Sequence, residues 1–178
     1  SRDPKTGRHD MTEIEAAIAL EGDFEAIHCT GDNSKCLPTD TMKNTVYALA
    51  VNNGNLYAGG HTGGGNILRW NTQSWVPVGG SGVNGPVEAL AVFNNFLYVG
   101  GLFNLAGGLP AHNLAIWTGT SWTSSGISIG NPIHVLAVVN GELFAGGSMV
   151  WRHQSLGPWL PVGGDPFCGE VRALASMN

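Results

Sequence analysis

The feature that most constrains this chain is a stretch that returns. Val46 to Gly80 reads VYALAVNNGNLYAGGHTGGGNILRWNTQSWVPVGG. Val87 opens VEALAVFNNFLYVGG, followed by NLAIW at Asn113 to Trp117 and then by Ser121-Trp122. Ile133 opens IHVLAVVNGELFAGG, followed by Trp151 and by PWLPVGG from Pro158. Val171 opens VRALAS. A period of roughly 40–50 residues with several short strands per unit marks a repeat architecture, in which each unit must bury its apolar faces against its neighbours.

One unit can be read from its residues. VYALAV is a continuous apolar run ended by turn formers, the pattern of a strand buried on both faces. Asn52-Asn53-Gly54-Asn55 tolerates the positive φ of a tight hairpin. Leu56-Tyr57-Ala58 is the second strand, and Gly59-Gly60 ends it where a side chain would be costly. Asn66 to Trp70 is the third strand. Ser74 to Val78 is the outer strand, with Pro77 suited to an edge because it offers no N–H. Four antiparallel strands per unit predict an all-β chain, a β-propeller or propeller-like arc of four-stranded blades. The units run 46–86, 87–132 and 133–170, with the start of a fourth at 171. Residues 1–45 form an N-terminal arm.

Leu56-Tyr57-Ala58-Gly59-Gly60 and Leu97-Tyr98-Val99-Gly100-Gly101 resemble the kelch and galactose-oxidase-type propeller repeats, where an apolar strand runs into Gly-Gly and a later aromatic precedes a Trp. The fuller unit is Gly-Gly, Asn-(Ile/Leu), Trp, Ser-Trp, Gly. It resembles Trp/Gly-rich propeller repeats of bacterial surface proteins and of the fungal cortical polarity-marker family. The resemblance covers about residues 46–178. The third unit departs from it, lacking the Asn and spacing its Trp pair more widely at Trp151 and Trp159. The resemblance implies a scaffold that binds or displays, and no single chemistry.

Charge is unevenly spread. Residues 1–45 hold five of the eight Lys/Arg and nine of the thirteen Asp/Glu, and no Lys follows Lys43. So few cations in the repeats disfavour phosphate contacts and nucleic acid, and a surface this poor in charge is one that partners cover. No apolar run reaches the length of a membrane-spanning helix. No apolar segment follows the basic start, so a signal peptide is absent or already removed.

Met11 to Glu21 reads as the one helix, with Thr12 and Glu15 as a capping box and Gly22 as its end; Ile14, Ala16, Ile18 and Leu20 also alternate as a strand would. Cys29 and Cys36 flank turn formers. They are expected to form a disulfide loop, as in an extracellular chain, ahead of free thiols in a cytosolic one or two metal ligands lacking a second pair. Cys168 is left over.

Asn66 and Asn113 recur before the third strand, and Trp70 and Trp117 recur with Trp75 and Trp122 behind them. Asn in a loop bonds its own backbone, and paired Trp residues pack between sheets. The sharper reading makes Asn66, Trp70, Asn113 and Trp117 a repeated ligand contact, with a sugar as the ligand. His61, His112, His134 and His153 fall at different places in their units, so no metal set is legible. Neither a nucleophile–His–acid set, a phosphate loop nor paired carboxylates can be placed, and no cofactor is expected. Thr118 to Ser125 could take O-linked sugar.

The expectation from sequence is a non-enzymatic extracellular or surface scaffold working through protein–protein contacts, with other chains or with copies of itself. A glycan-binding module is the rival, and a propeller-based oxidase or lyase ranks third. Residues 1–45 hold neither Trp nor Gly-Gly, so they do not look like the missing strands of a fourth blade. The chain is then either part of a longer polypeptide or completed by a neighbouring copy, which in open register builds a filament.

Overall fold

The computed structural model describes residues 45–62, 64–154, 157–163 and 169–175. Residues 1–44 of the arm, its expected helix and all three cysteines, Cys29, Cys36 and Cys168, lie outside the described residues. Among those described there is no helix, and all regular structure is antiparallel strand.

Three four-stranded sheets follow one another along the chain. The first holds β1 (Thr45–Asn52), β2 (Asn55–His61), β3 (Ile67–Trp70) and β4 (Trp75–Pro77), in that order across the sheet. The second holds β5 (Val87–Phe93), β6 (Phe96–Gly101), β9 (Leu114–Trp117) and β10 (Trp122–Ser124). A small ribbon, β7 (Leu105–Ala106) with β8 (Leu109–Pro110), is inserted between β6 and β9. The third holds β11 (Val135–Val139), β12 (Glu142–Gly146), β13 (Val150–His153) and β14 (Trp159–Val162). The third unit therefore completes its outer strands although it lacks the Asn of the other two.

Each first hairpin turns on Asn or Gly at positive φ, as at Asn53-Gly54 and Asn140-Gly141. This is the chemistry that two-residue hairpins demand. Two apolar layers join the sheets. Tyr57, Ile67 and Val78 of the first unit meet Val87, Val99 and Trp122 of the second. Phe93, Tyr98 and Leu114 of the second meet Ile133, Leu143 and Trp159 of the third.

The Gly-Gly pairs explain how the sheets come so close. A Cβ on Gly100 would lie 2.6 Å from Cγ2 of Ile133. Gly59 stands in the same relation to Val87, and a Cβ on Gly146 would meet Val135 of its own sheet at 2.6 Å and Val171 at 2.9 Å. The first apolar residue of each unit therefore sits on the bare backbone of the unit before it. Backbone bonds fix the seat: Ile133 N–H donates to Gly101 O at 3.1 Å, and Val171 N–H to Gly147 O at 2.7 Å. Tryptophan pins the outer ends. Trp122 Nε1–H reaches back to Val78 O at 3.3 Å, and Trp159 Nε1–H to Ser125 O at 3.1 Å.

One expectation needs correcting here. β5 alternates buried and half-buried residues, but Val46, Tyr47 and Leu49 of β1 are exposed. The reading of VYALAV as buried on both faces fails because, among the described residues, no sheet lies in front of the first. No closed ring is formed among the described residues either.

Trp122→Ala should lower the unfolding free energy by about 3–5 kcal/mol, since it empties a filled site and strips Val78 O of its donor. Trp70→Ala, at a half-buried ring, should cost clearly less. Urea unfolding of both variants checks this, and a Trp122→Ala protein of unaltered stability would contradict it.

Candidate functional site

The second residue of each unit is where the units differ. It is Tyr47 in VYA, Glu88 in VEA, His134 in IHV and Arg172 in VRA. Pairing of β1 with β2 slips between Val46 and Ala48, and pairing of β5 with β6 slips between Val87 and Ala89. Tyr47 and Glu88 are thus the extra residues of two bulges, a device that re-aims a side chain out of the regular pleat. His134 stands just before β11, its N–H bonded to Gly146 O at 2.8 Å. Because each unit repeats the seat at the preceding residue, all four side chains arrive at one place. With Pro86 they line a cavity of about 370 Å³.

His134 is its centre. Its side chain is 8% exposed, with Nδ1 at 2.6 Å from Oε2 of Glu88 and Nε2 at 3.4 Å from Oε1 of Glu170. Both ring nitrogens face carboxylates, so the imidazole is oriented from two sides. Arg172 donates to Glu170 at 2.5 Å. That hydrogen bond, then the charges of Arg172 and His134, holds the Glu170 carboxyl below its ordinary value. Tyr47 is 54% exposed and Glu88 is partly so, which leaves the cavity open to small molecules.

A second cavity of about 370 Å³ is lined by Asn84, Phe103, Asn104, His112 and Asn113, among others. Its amides are largely occupied. Asn84 Oδ1 accepts from the N–H groups of Asn104 and Leu105 at 3.0 and 2.9 Å, and its Nδ2 donates to Asn104 Oδ1 at 2.6 Å.

The residues singled out from sequence stand elsewhere. Asn66 and Asn113 adopt positive φ and do the same work in two units. Asn66 accepts from Thr62 N–H at 3.1 Å and donates to Val83 O at 3.0 Å. Asn113 accepts from Phe103 N–H at 3.2 Å and donates to Ile129 O at 2.8 Å. Each ties the loop before the third strand to the connector leaving its sheet. Trp70 and Trp117 lie against Trp75 and Trp122, at centroid distances of 5.6 and 5.3 Å. Of the four, only Asn113 borders either cavity, and the structure does not bring them together. The signal that would have found the first cavity was the second residue of each unit, whose chemistry changes while its surroundings repeat.

A further imidazole is spent on packing. His153 stacks on Trp159 at 4.8 Å, meets Phe93 edge-on and lies tilted against Tyr98. Burial pushes its pKa below the ordinary 6.5, against an opposing backbone contact with Gly157.

A family model described as uricase matches residues 2–96, just over half of the chain. The chain belongs to the uricase family. The uricase of Arthrobacter globiformis is 51% identical over 45 residues, which is 25% of this chain and 15% of that protein. That of Emericella nidulans is 40% identical over 52 residues, 29% and 17% of the two chains. That of Schizosaccharomyces pombe is 44% identical over 50 residues, 28% and 17%. The chain thus spans 15–17% of the length of these relatives.

The uricase match overturns several expectations. It displaces the kelch and galactose-oxidase-type resemblance, and the Trp/Gly-rich surface repeats with it, as the family assignment. It also displaces the non-enzymatic scaffold, its filament and the lectin-like alternative, since the relatives are enzymes. The extracellular or surface location rested on the scaffold reading and falls with it. The physical reason is one of weighting. The Gly-Gly and Trp spacings report how sheets stack, and packing of that kind is indifferent to chemistry. The matched stretch includes the arm, which was read mainly for its charge and its cysteines.

The lowered pKa of His153 sets a pH dependence. The unfolded chain takes up this proton near pH 6.5, while the folded chain resists it until lower pH. Between the two values the unfolded state binds more protons, so stability is full above 6.5 and falls as pH drops below it. Thermal melts across this range should show the loss, and His153→Phe should blunt it. An unchanged acid limb in His153→Phe would contradict the assignment.

Proposed function

We propose that this chain contributes a segment of a urate-oxidising enzyme. What supports the reading is the 51% identity over 45 residues to the uricase of Arthrobacter globiformis, together with a family match over residues 2–96. Identity at that level over a contiguous stretch keeps side-chain chemistry as well as backbone path. Such a segment acts in concert with the remaining parts that a uricase has, because this chain spans only 15% of that relative. Tyr47, Pro86 and Glu88 of the first cavity fall inside the matched residues, and His134, Glu170 and Arg172 fall beyond them. The urate chemistry is therefore assigned to residues 2–96 as a stretch and not to the cavity.

The finer architecture belongs to the same proposal. The three sheets are read as an open arc about the first cavity, supported by the repeated seats at Gly59, Gly100 and Gly146.

A chimera tests the functional reading. The matching stretch of the Arthrobacter globiformis uricase is replaced by the corresponding residues of this chain, and urate loss and dioxygen uptake are followed together. The expected result is a folded chimera that consumes urate at a rate within about tenfold of the parent, a change of about 1.4 kcal/mol in barrier. A chimera that folds and assembles as the parent does, yet leaves urate untouched, would overturn the proposal.

A further inference from the structure

The first cavity has chemistry of its own. We infer that it binds a small organic cation, a primary ammonium or a guanidinium group, between the Glu88 carboxylate and the ring of Tyr47.

Charge comes first. The cavity and its rim hold two carboxylates, Glu88 and Glu170, and one guanidinium, Arg172. Arg172 is engaged by Glu170 at 2.5 Å, so that pair is internally neutralised. Among the described residues Glu88 pairs with the His134 ring and with no guanidinium. His134 holds only one of its oxygens, Oε2, and among the described residues Oε1 accepts no hydrogen bond. An oriented carboxylate with one oxygen held and one open is a ready acceptor for a charged N–H donor.

Tyr47 supplies the second recognition element. It is carried to the same cavity by the bulge in β1, and the residue is more than half exposed. An aromatic face beside a carboxylate is the pairing that holds organic cations, by cation–π attraction added to the ion pair. Regular pleating would not place either side chain here, and the same bulge occurs at both. The volume of about 370 Å³ lies within the range of small-molecule sites. A metal ion is the poorer occupant, since among the described residues no three His, Cys, Asp or Glu side chains are grouped to hold one. An anion would have to displace Glu170 from Arg172 and face Glu88 as well.

This inference stands apart from the urate reading, because urate is an anion and the site described is for a cation. Either can fail without the other.

The test is calorimetric titration of the full 178-residue chain with benzamidine, and with benzoate as the anion of the same shape. Benzamidine should bind with one site per chain and benzoate should give no heat. Raising salt should weaken the interaction, as expected of a partly exposed ion pair. Glu88→Gln should weaken binding by about tenfold or more. Tyr47→Leu, at an exposed position where folding is not at stake, should weaken it severalfold. Absence of benzamidine binding at millimolar concentration would overturn the inference. So would benzoate binding as tightly, or benzamidine binding that Tyr47→Leu leaves unchanged.

Discussion

One contact recurs and the rest of the fold is arranged around it: an aliphatic side chain lying on a glycine of the preceding sheet. Val87 rests on Gly59, Ile133 on Gly100 and Val171 on Gly146. The glycine ends the second strand of one unit, and the aliphatic residue opens the next unit. Any side chain on the glycine would push the sheets apart, and the apolar layer between them would open. That layer is the main stabilising element here, because an isolated four-stranded sheet leaves both of its faces in water. The Trp pins at Val78 and Ser125 then fix the far ends of the same interfaces.

The seat also makes the site. The residue after each seated side chain has a fixed height and direction, so four different residues meet at one cavity. Of the seven charged residues that follow Thr45, three are Glu88, Glu170 and Arg172, and all three are at or beside this cavity. Arg69 and the Arg152–Glu142 pair stand apart from it. His134 is held there from both sides, by Glu88 of the second unit and by Glu170 of the segment that follows the third. Packing and chemistry come from adjacent positions in the same short motif.

Much of this was legible in the sequence, and the reasons differ by residue. The strands could be read because apolar runs end at Asn-Gly or Gly-Gly, and those residues have few other uses. The close approach at Gly59 and Gly100 could be read for the same reason. The exposure of β1 could not, because VYALAV and VEALAV have the same pattern and only position in the stack separates them. The cluster was visible as letters, Tyr47, Glu88, His134 and Arg172, but not as a site, since residues about forty apart converge only once the stacking geometry is known. Asn66 and Asn113 drew attention because they recur, and recurrence proved to mark a shared loop contact with Val83 and Ile129. Family membership was the least legible feature. It rests on residues 2–96, a stretch that includes the arm, whose composition shows no periodicity strong enough to declare itself.

A double-mutant cycle at one seat tests the central claim most directly. Gly100→Ala, Ile133→Ala and the pair together are compared by urea unfolding of the whole chain. Gly100→Ala alone should destabilise by overpacking, about 1–3 kcal/mol, and Ile133→Ala alone by leaving a cavity, about 2–5 kcal/mol. In the double variant the new methyl group occupies the space that the isoleucine vacated. The account predicts a total loss smaller than the sum of the two by at least about 1 kcal/mol. Losses that simply add would mean that the two residues do not bear on each other, and would contradict the seat as the organising contact.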